Sequence, residues 1–215
     1  MKSIILSVLV FTSSLLYASE RVEITCSEEG ATFTVNGKIV GAGPIKIKVD
    51  KGACVNVKVT KTGFITYEKN YCNGKGNDLP NEDFIKLEQD DAFNSSISTD
   101  IANIDISIKV DIKNPSSWKL LNSIVTSYFD VIEASDKETS YLRTAWASQK
   151  FKAGIIRTRF IAKSEDNEDG YKVKLVSEYT NISNVTSKND EAFTEWNRVL
   201  RKYSNLISDL QARLK

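Results

Sequence analysis

From Arg21 to Asp90, apolar and polar residues alternate in short runs broken by glycine or asparagine, which is the two-residue period of half-buried β-strands. Val22, Ile24 and Cys26 share one face. Phe33 and Val35 lead into Asn36-Gly37, a pair that two-residue hairpin turns favour because both central positions need positive φ. Ile45, Ile47 and Val49 then alternate with Lys46, Lys48 and Asp50, and Val55, Val57 and Val59 with Asn56, Lys58 and Thr60. No amphipathic helical pattern interrupts the stretch, and a short closing strand is expected over 84–88. The pattern predicts an all-β domain over residues 20–88, oily on one side of each sheet and wet on the other.

The same parity predicts a disulfide. If the chain reverses around Gly63, Val59 stands opposite Tyr67 and Val55 opposite Tyr71 on the core face. That register sets Lys58 against Glu68 and Cys54 against Cys72 on the outer face. Opposed residues of antiparallel strands lie close enough at Cα for a bridge, and a Cys54 to Cys72 bond would contribute about 3 kcal/mol. Cys26 then remains as a buried free thiol; its alternative is a bridge between molecules. Asp78, Glu82 and Asp83 invite a calcium reading, but the ligand spacing of a calcium loop is missing and a solvated loop is expected.

The pattern changes after Asp90. Residues 89–100, "QDDAFNSSISTD", read as a linker. Ile104, Ile106, Ile108, Val110 and Ile112 alternate with polar residues as a strand. Asn114-Pro115 then opens a helix, with proline at its first position and an apolar stripe of Trp118, Leu121, Ile124, Val125, Tyr128, Phe129 and Ile132. Three strands are expected near 140–147, 155–163 and 171–179, the last two joined by the acidic turn "SEDNEDG". From about Asn189 a long helix is expected, since Phe193, Trp196, Leu200, Tyr203, Ile207, Leu210 and Leu214 step by three and four. Laid across the sheet rather than against a second copy, it makes residues 101–215 a two-layer α+β domain, an antiparallel sheet covered by two helices.

The chain begins with Met1-Lys2 and an apolar run from Ile4 to Leu16, too short to span a bilayer, that closes on the small residues Ala18 and Ser19. Residues 1–19 therefore read as a cleaved secretory signal peptide rather than an uncleaved anchor. A periplasmic or secreted protein follows, with peripheral membrane contact open to it but not integral membership. A hydrophobic fraction of 41% and a charged fraction of 27% fit globular domains, and a net charge of +1 exerts no global pull on nucleic acid or anionic membrane. Charge is local instead: residues 38–75 carry eight lysines, and residues 143–163 carry six basic residues without an acid.

The glycine and asparagine placement in "VNGKIVGAGPIKIKVDKGACVNVKVTKTGF" resembles the PEGA family of small extracytoplasmic β-domains. The resemblance spans roughly residues 21–88 and implies a β-sandwich-like binding or spacer module without a catalytic site. Ala42-Gly43-Pro44 and the three cysteines depart from the family pattern. "SYLRTAW", "GIIRTRF" and "YKVKLVSEY" resemble helix-grip domains found in an accessory lipoprotein of outer-membrane β-barrel assembly. No lipid-accepting cysteine accompanies them.

The chain contains 0 histidines, which removes serine triads, cysteine-histidine dyads and most catalytic zinc sites. A hydrolase would need paired carboxylates or a serine-lysine pair, and the acids fall in turns and on polar faces. No phosphate-binding glycine loop is present; no cofactor or metal is expected, and no enzyme. What stands out is arginine parity. Arg143, Arg157 and Arg159 are out of phase with Leu142, Thr144, Ile156, Thr158 and Phe160, so with Lys172 and Lys174 they would line the uncovered face of the second sheet. Guanidinium forks match carboxylate or phosphate, giving a candidate anion or partner-binding face; the plainer reading is a charged solvent face balanced by Glu178. Nucleic acid is not expected, since the compartment is wrong and aromatics do not interleave with these bases. The sequence thus predicts a non-enzymatic cell-envelope protein that binds or scaffolds an envelope protein partner, with a carbohydrate-binding or cell-wall adhesin module as the alternative.

Overall fold

The computed structural model describes residues 19–74, 76, 78–165, 170–182 and 184–214. The expected signal peptide lies outside the described residues except for Ser19. The chain divides into two compact units, Met1–Glu88 and Gln89–Lys215.

The first unit is built from seven strands: β1 (Ser19–Cys26), β2 (Thr32–Val35), β3 (Lys38–Ala42), β4 (Ile45–Asp50), β5 (Cys54–Thr60), β6 (Tyr67–Cys72) and β7 (Glu82–Ile85). One sheet has the order β4-β1-β7, and the other β3-β2-β5-β6. Alternation sends Val22, Ile24, Ile47, Val49 and Ile85 of the first sheet against Phe33, Val55, Val57, Val59 and Tyr71 of the second, so the two form a β-sandwich-like pair around one core. Asn36 and Gly37 both take positive φ, 47° and 79°, as a tight hairpin turn requires. The closing strand lies earlier than the pattern implied, at β7, because it runs parallel to β1 with Glu23 beside Glu82 and Cys26 beside Ile85.

Strands β5 and β6 pair in the expected register: Val59 with Tyr67, Lys58 with Glu68, Val55 with Tyr71, and Cys54 with Cys72. Cys54 and Cys72 are bonded, with their Cα atoms 4.0 Å apart. Cys26 is free but only half-buried, not fully enclosed as its parity implied, and its thiol donates to the Glu28 carbonyl at 3.2 Å.

The sandwich edge at β6 and β7 is closed by Asp83, whose Oδ2 accepts from Lys69 Nζ at 2.6 Å and from the Tyr71 hydroxyl at 2.8 Å. Burial alone would raise this carboxyl, yet the Lys69 and Tyr71 hydrogen bonds hold it below the usual carboxylate range. A depressed native pKa stabilises the fold at every pH above the unfolded value, and that contribution is lost as pH falls through the native one. Asp83→Asn is therefore expected to destabilise this unit by about 1–3 kcal/mol at neutral pH. The deficit should shrink in acid, which chemical denaturation at pH 7 and pH 3 will read.

The second unit opens with helix α1 (Asp91–Asn94), capped by the Asp90 carboxylate on the Ala92 and Phe93 amides, and strand β8 (Ser96–Ser98). Residues 89–100 are therefore not a linker. Their apolar members Ala92 and Ile97 are used: Ala92 joins the core, and β8 pairs with a late strand. Next come β9 (Asp105–Lys109), helix α2 (Pro115–Thr126) capped by Asn114, β10 (Ile132–Asp136), β11 (Tyr141–Thr144), β12 (Ala147–Lys150), β13 (Ile155–Ser164) and β14 (Gly170–Thr180). Ile132 belongs to β10 and not to α2, because the helix stops at Thr126; it packs against the same core from the strand, partly buried.

The expected long C-terminal helix is absent. In its place stand a 3₁₀ turn (Asp190–Ala192), β15 (Thr194–Glu195), β16 (Arg198–Leu200), a second 3₁₀ turn (Arg201–Tyr203) and the short helix α3 (Leu206–Arg213). Asn197, Ser204 and Asn205 sit inside the apolar series, and short polar side chains of this kind offer the backbone competing hydrogen bonds. The Ser204 hydroxyl, for example, donates to the Arg201 carbonyl at 2.8 Å.

In the seven-stranded sheet, β13 and β14 form the long central pair; β11 and β12 share the outer edge of β13, while β9 and β15 share that of β14. Helices α2 and α3 cover one face. Leu121, Ile124, Val125, Leu206, Ile207 and Leu210 join Leu142, Ile156, Phe160, Ala162, Val173 and Leu175 in one core.

Candidate functional site

The side chains that point away from the helices decide what the second unit can recognise. On β13 and β14, the residues out of phase with the core are Arg157, Arg159, Ile161 and Lys163, and Lys172, Lys174, Val176 and Glu178. The arginine parity read from the sequence thus describes the strands correctly, but one part of the expectation fails. That face is not uncovered at Arg157, which is only 1% exposed.

The cover comes from a bulge and from the segment that was expected to be helical. The β11–β13 ladder pairs Arg143 with Ile161, whereas the β12–β13 ladder pairs Ala147 with Thr158, a slip of one residue. The extra residue falls at Ala145-Trp146, where the Phe160 amide donates to the Thr144 hydroxyl at 2.9 Å. By plain alternation Trp146 would face the core with Leu142 and Thr144. The bulge turns it to the other side, and both the Arg157 and Arg159 guanidinium carbons lie 4.0 Å from its ring centroid.

Arg157 also lies 4.1 Å from the Phe193 centroid. Its Nε and Nη2 reach Glu178 Oε2 at 2.7 and 2.5 Å, Nη2 reaches Asp190 Oδ1 at 2.8 Å, and Nη1 donates to the Ser187 carbonyl at 2.6 Å. This guanidinium is fully engaged, a clamp that ties residues 187–193 to the sheet. A series of ring and cation contacts therefore runs from Phe193 through Arg157 and Trp146 to Arg159.

Arg159 ends that series differently. Its Nε is buried without a hydrogen-bond partner, and among the described residues no carboxylate pairs with it. Arg143, close by, has Nε 3.0 Å from Glu133 Oε2, without the alignment of a hydrogen bond. Arg143, Arg159, Trp146 and Lys188 line an open cleft of about 430 Å³ together with Glu133 and Asp190. Three cations and two carboxylates face one space, which leaves one positive charge unbalanced.

Lys172 and Lys174 lie farther along the same face and do not join this cleft. With Lys163, Ile161 and Asp105 they border a smaller hollow of about 150 Å³, where Lys174 Nζ is 3.2 Å from Asp105 Oδ1. The expected binding face is thus two adjoining depressions with Ile161 between them. Trp146, Phe193, Glu133, Lys188 and Asp190 were not legible as part of it. The expectation that aromatics stay clear of the arginines is also corrected, since Trp146 and Phe193 lie among them.

Other polar clusters read as scaffold. Tyr128 donates to Asp209, and burial together with that carboxylate pushes its pKa up to about 12, so the pair pins the turn that follows α2 to α3 over the working pH range. Arg198 donates to the Ser96 hydroxyl and to the Phe93 and Ser96 carbonyls, fastening β16 to β8 and α1. Among the described residues no group of three or more acidic or cysteine side chains is placed to hold a metal ion, and no helix is long and apolar enough to cross a membrane. No protein-family model and no curated protein matches the chain.

Proposed function

We propose that the protein is a non-enzymatic component of a bacterial cell envelope, which binds an anionic partner through the Arg143–Arg159 cleft of its second unit while a PEGA-like first unit serves as spacer or additional contact. The observation that carries this reading is Arg159: a guanidinium held against Trp146, its Nε buried without a partner, in a residue that lines a cleft holding surplus positive charge. A buried donor without an acceptor costs about 1–3 kcal/mol, and a ligand carboxylate or phosphate relieves that cost. The envelope location draws on the apolar leader from Ile4 to Leu16 and on the Cys54–Cys72 bond, which persists in oxidising compartments. The sandwich and the Asn36-Gly37 turn support the PEGA assignment, and the helix-covered sheet supports the helix-grip one.

An indole in the cleft favours the carbohydrate alternative, because sugars stack on aromatic faces. Trp146 already carries two guanidinium groups on its ring, however, which favours a protein partner. Photocrosslinking from position 188 in the native envelope tests the choice. A discrete protein adduct is expected, falling about tenfold in Arg159→Glu with an unchanged melting curve. Adducts indifferent to Arg159→Glu would overturn the proposal.

A further inference from the structure

Resting on that reading, we infer that the partner presents an extended acidic segment lying along β13, with one carboxylate in the Arg159 cleft, an apolar side chain on Ile161 and a second carboxylate at Lys163 and Lys174. The spacing follows from strand geometry. Arg159, Ile161 and Lys163 are successive outward residues of one strand, so the two ends of the row are about 13 Å apart. An extended peptide repeats its own same-side residues at this interval, so acid, apolar and acid at alternate positions match the row one for one.

The lateral neighbours agree. Ile161 is flanked in register by Arg143 on one side and Lys174 on the other, and Lys163 stands directly opposite Lys172. Lys163, exposed at that end of the row, supplies the cation that the second carboxylate meets. The two depressions, about 430 and 150 Å³, fall at the two ends of the row with Ile161 at the rim of the smaller one.

Charge favours a carboxylate over a phosphate. Glu133 and Asp190 already line the larger cleft, so a dianion would sit beside two acids, whereas one carboxylate cancels the single surplus charge. The row from Ile161 to Lys163 beside the rings, not the rings themselves, is what the segment covers. A planar carboxylate forks onto a guanidinium whose stacking on Trp146 already fixes its plane.

Fluorescence anisotropy with the full chain tests this, using a labelled peptide that carries Glu-Ser-Val-Ser-Glu. The expected result is salt-sensitive binding, weakened about tenfold by Arg159→Gln and several-fold by Lys163→Glu. Lys163 is exposed, so the second variant keeps the test valid if the first perturbs folding. A peptide of the same composition with its two glutamates adjacent should bind several-fold more weakly. Equal affinity for both peptides, or tighter binding of an oligogalacturonate or of pyrophosphate than of the spaced peptide, overturns the inference. If the peptide fails while envelope adducts still depend on Arg159, the acidic-segment reading falls and the proposed function stands; if the adducts ignore Arg159, the proposed function falls as well.

Discussion

Arg157→Ala is expected to destabilise the second unit by about 3–5 kcal/mol, the range seen when one partner of a buried ion pair is removed. The side chain is 1% exposed, and three of its nitrogens are bonded. Its loss does not fall equally on its partners. Asp190 is 76% exposed and returns to water, but Glu178 is 18% exposed and has Glu195 directly across from it on β15. Without the guanidinium, a half-enclosed carboxylate faces a like charge. Phe193 and Trp146 lose the cation between them as well, so residues 187–193 lose their tie to the sheet and the cleft loses the wall that carries Lys188 and Asp190. Urea denaturation of the variant should give a lower midpoint, and hydrogen exchange should quicken in 187–193. The double variant Arg157→Met with Glu178→Gln should recover much of the loss, because it removes the stranded charge and keeps volume between the rings. A change below about 1 kcal/mol in the single variant would mean that Arg157 is solvated, and the clamp is then wrong.

The contrast between this residue and the cysteine pair explains how far the sequence could be read. Cys54 and Cys72 were legible because a β-hairpin has one period and one reversal point; once Gly63 is taken as the corner, every pair in the ladder follows, and all of them are found. Arg143, Arg157 and Arg159 were legible as outward-facing for the same reason. Trp146 was not, because a single extra residue at Ala145-Trp146 inverts parity, and nothing in "RTAWA" marks the slip. The cover over Arg157 was misread because steps of three and four fit a helix seam and also fit a chain of short turns. Leu200, Tyr203, Ile207, Leu210 and Leu214 do reach the core, while Phe193 goes to the opposite face of the sheet to meet Arg157. The apolar series fixed which residues leave water but not the backbone that takes them there. The unpaired Arg159 was illegible for a related reason, since it is defined by acids that engage its neighbours and leave it alone.

Gly170→Ala is expected to cost more than about 4 kcal/mol, a size confined to substitutions with a specific steric or electrostatic fault. Its backbone is not in the left-handed region, so alanine has no conformational objection there. The objection is space: an added Cβ would lie 2.0 Å from the Ile108 carbonyl oxygen and 3.0 Å from Lys109 Cα, both backbone atoms of the neighbouring strand. Neither can swing aside as a side chain would, and Gly170 pairs with Lys109 at the end of the β9–β14 ladder. Relief requires β9 to move off β14, with loss of the Asp105–Lys174 ion pair that borders the lysine end of the proposed binding row. Gly37→Ala is the control. Its φ of 79° disfavours alanine, but the space around it is open, so a cost of about 1 kcal/mol is expected. Amide exchange at Asp105–Lys109 separates the two causes, because protection there should collapse in Gly170→Ala and stay intact in Gly37→Ala. If Gly170→Ala instead melts with the parent and keeps that protection, β9 does not approach β14 at this point, and the lysine end of the face must be drawn differently.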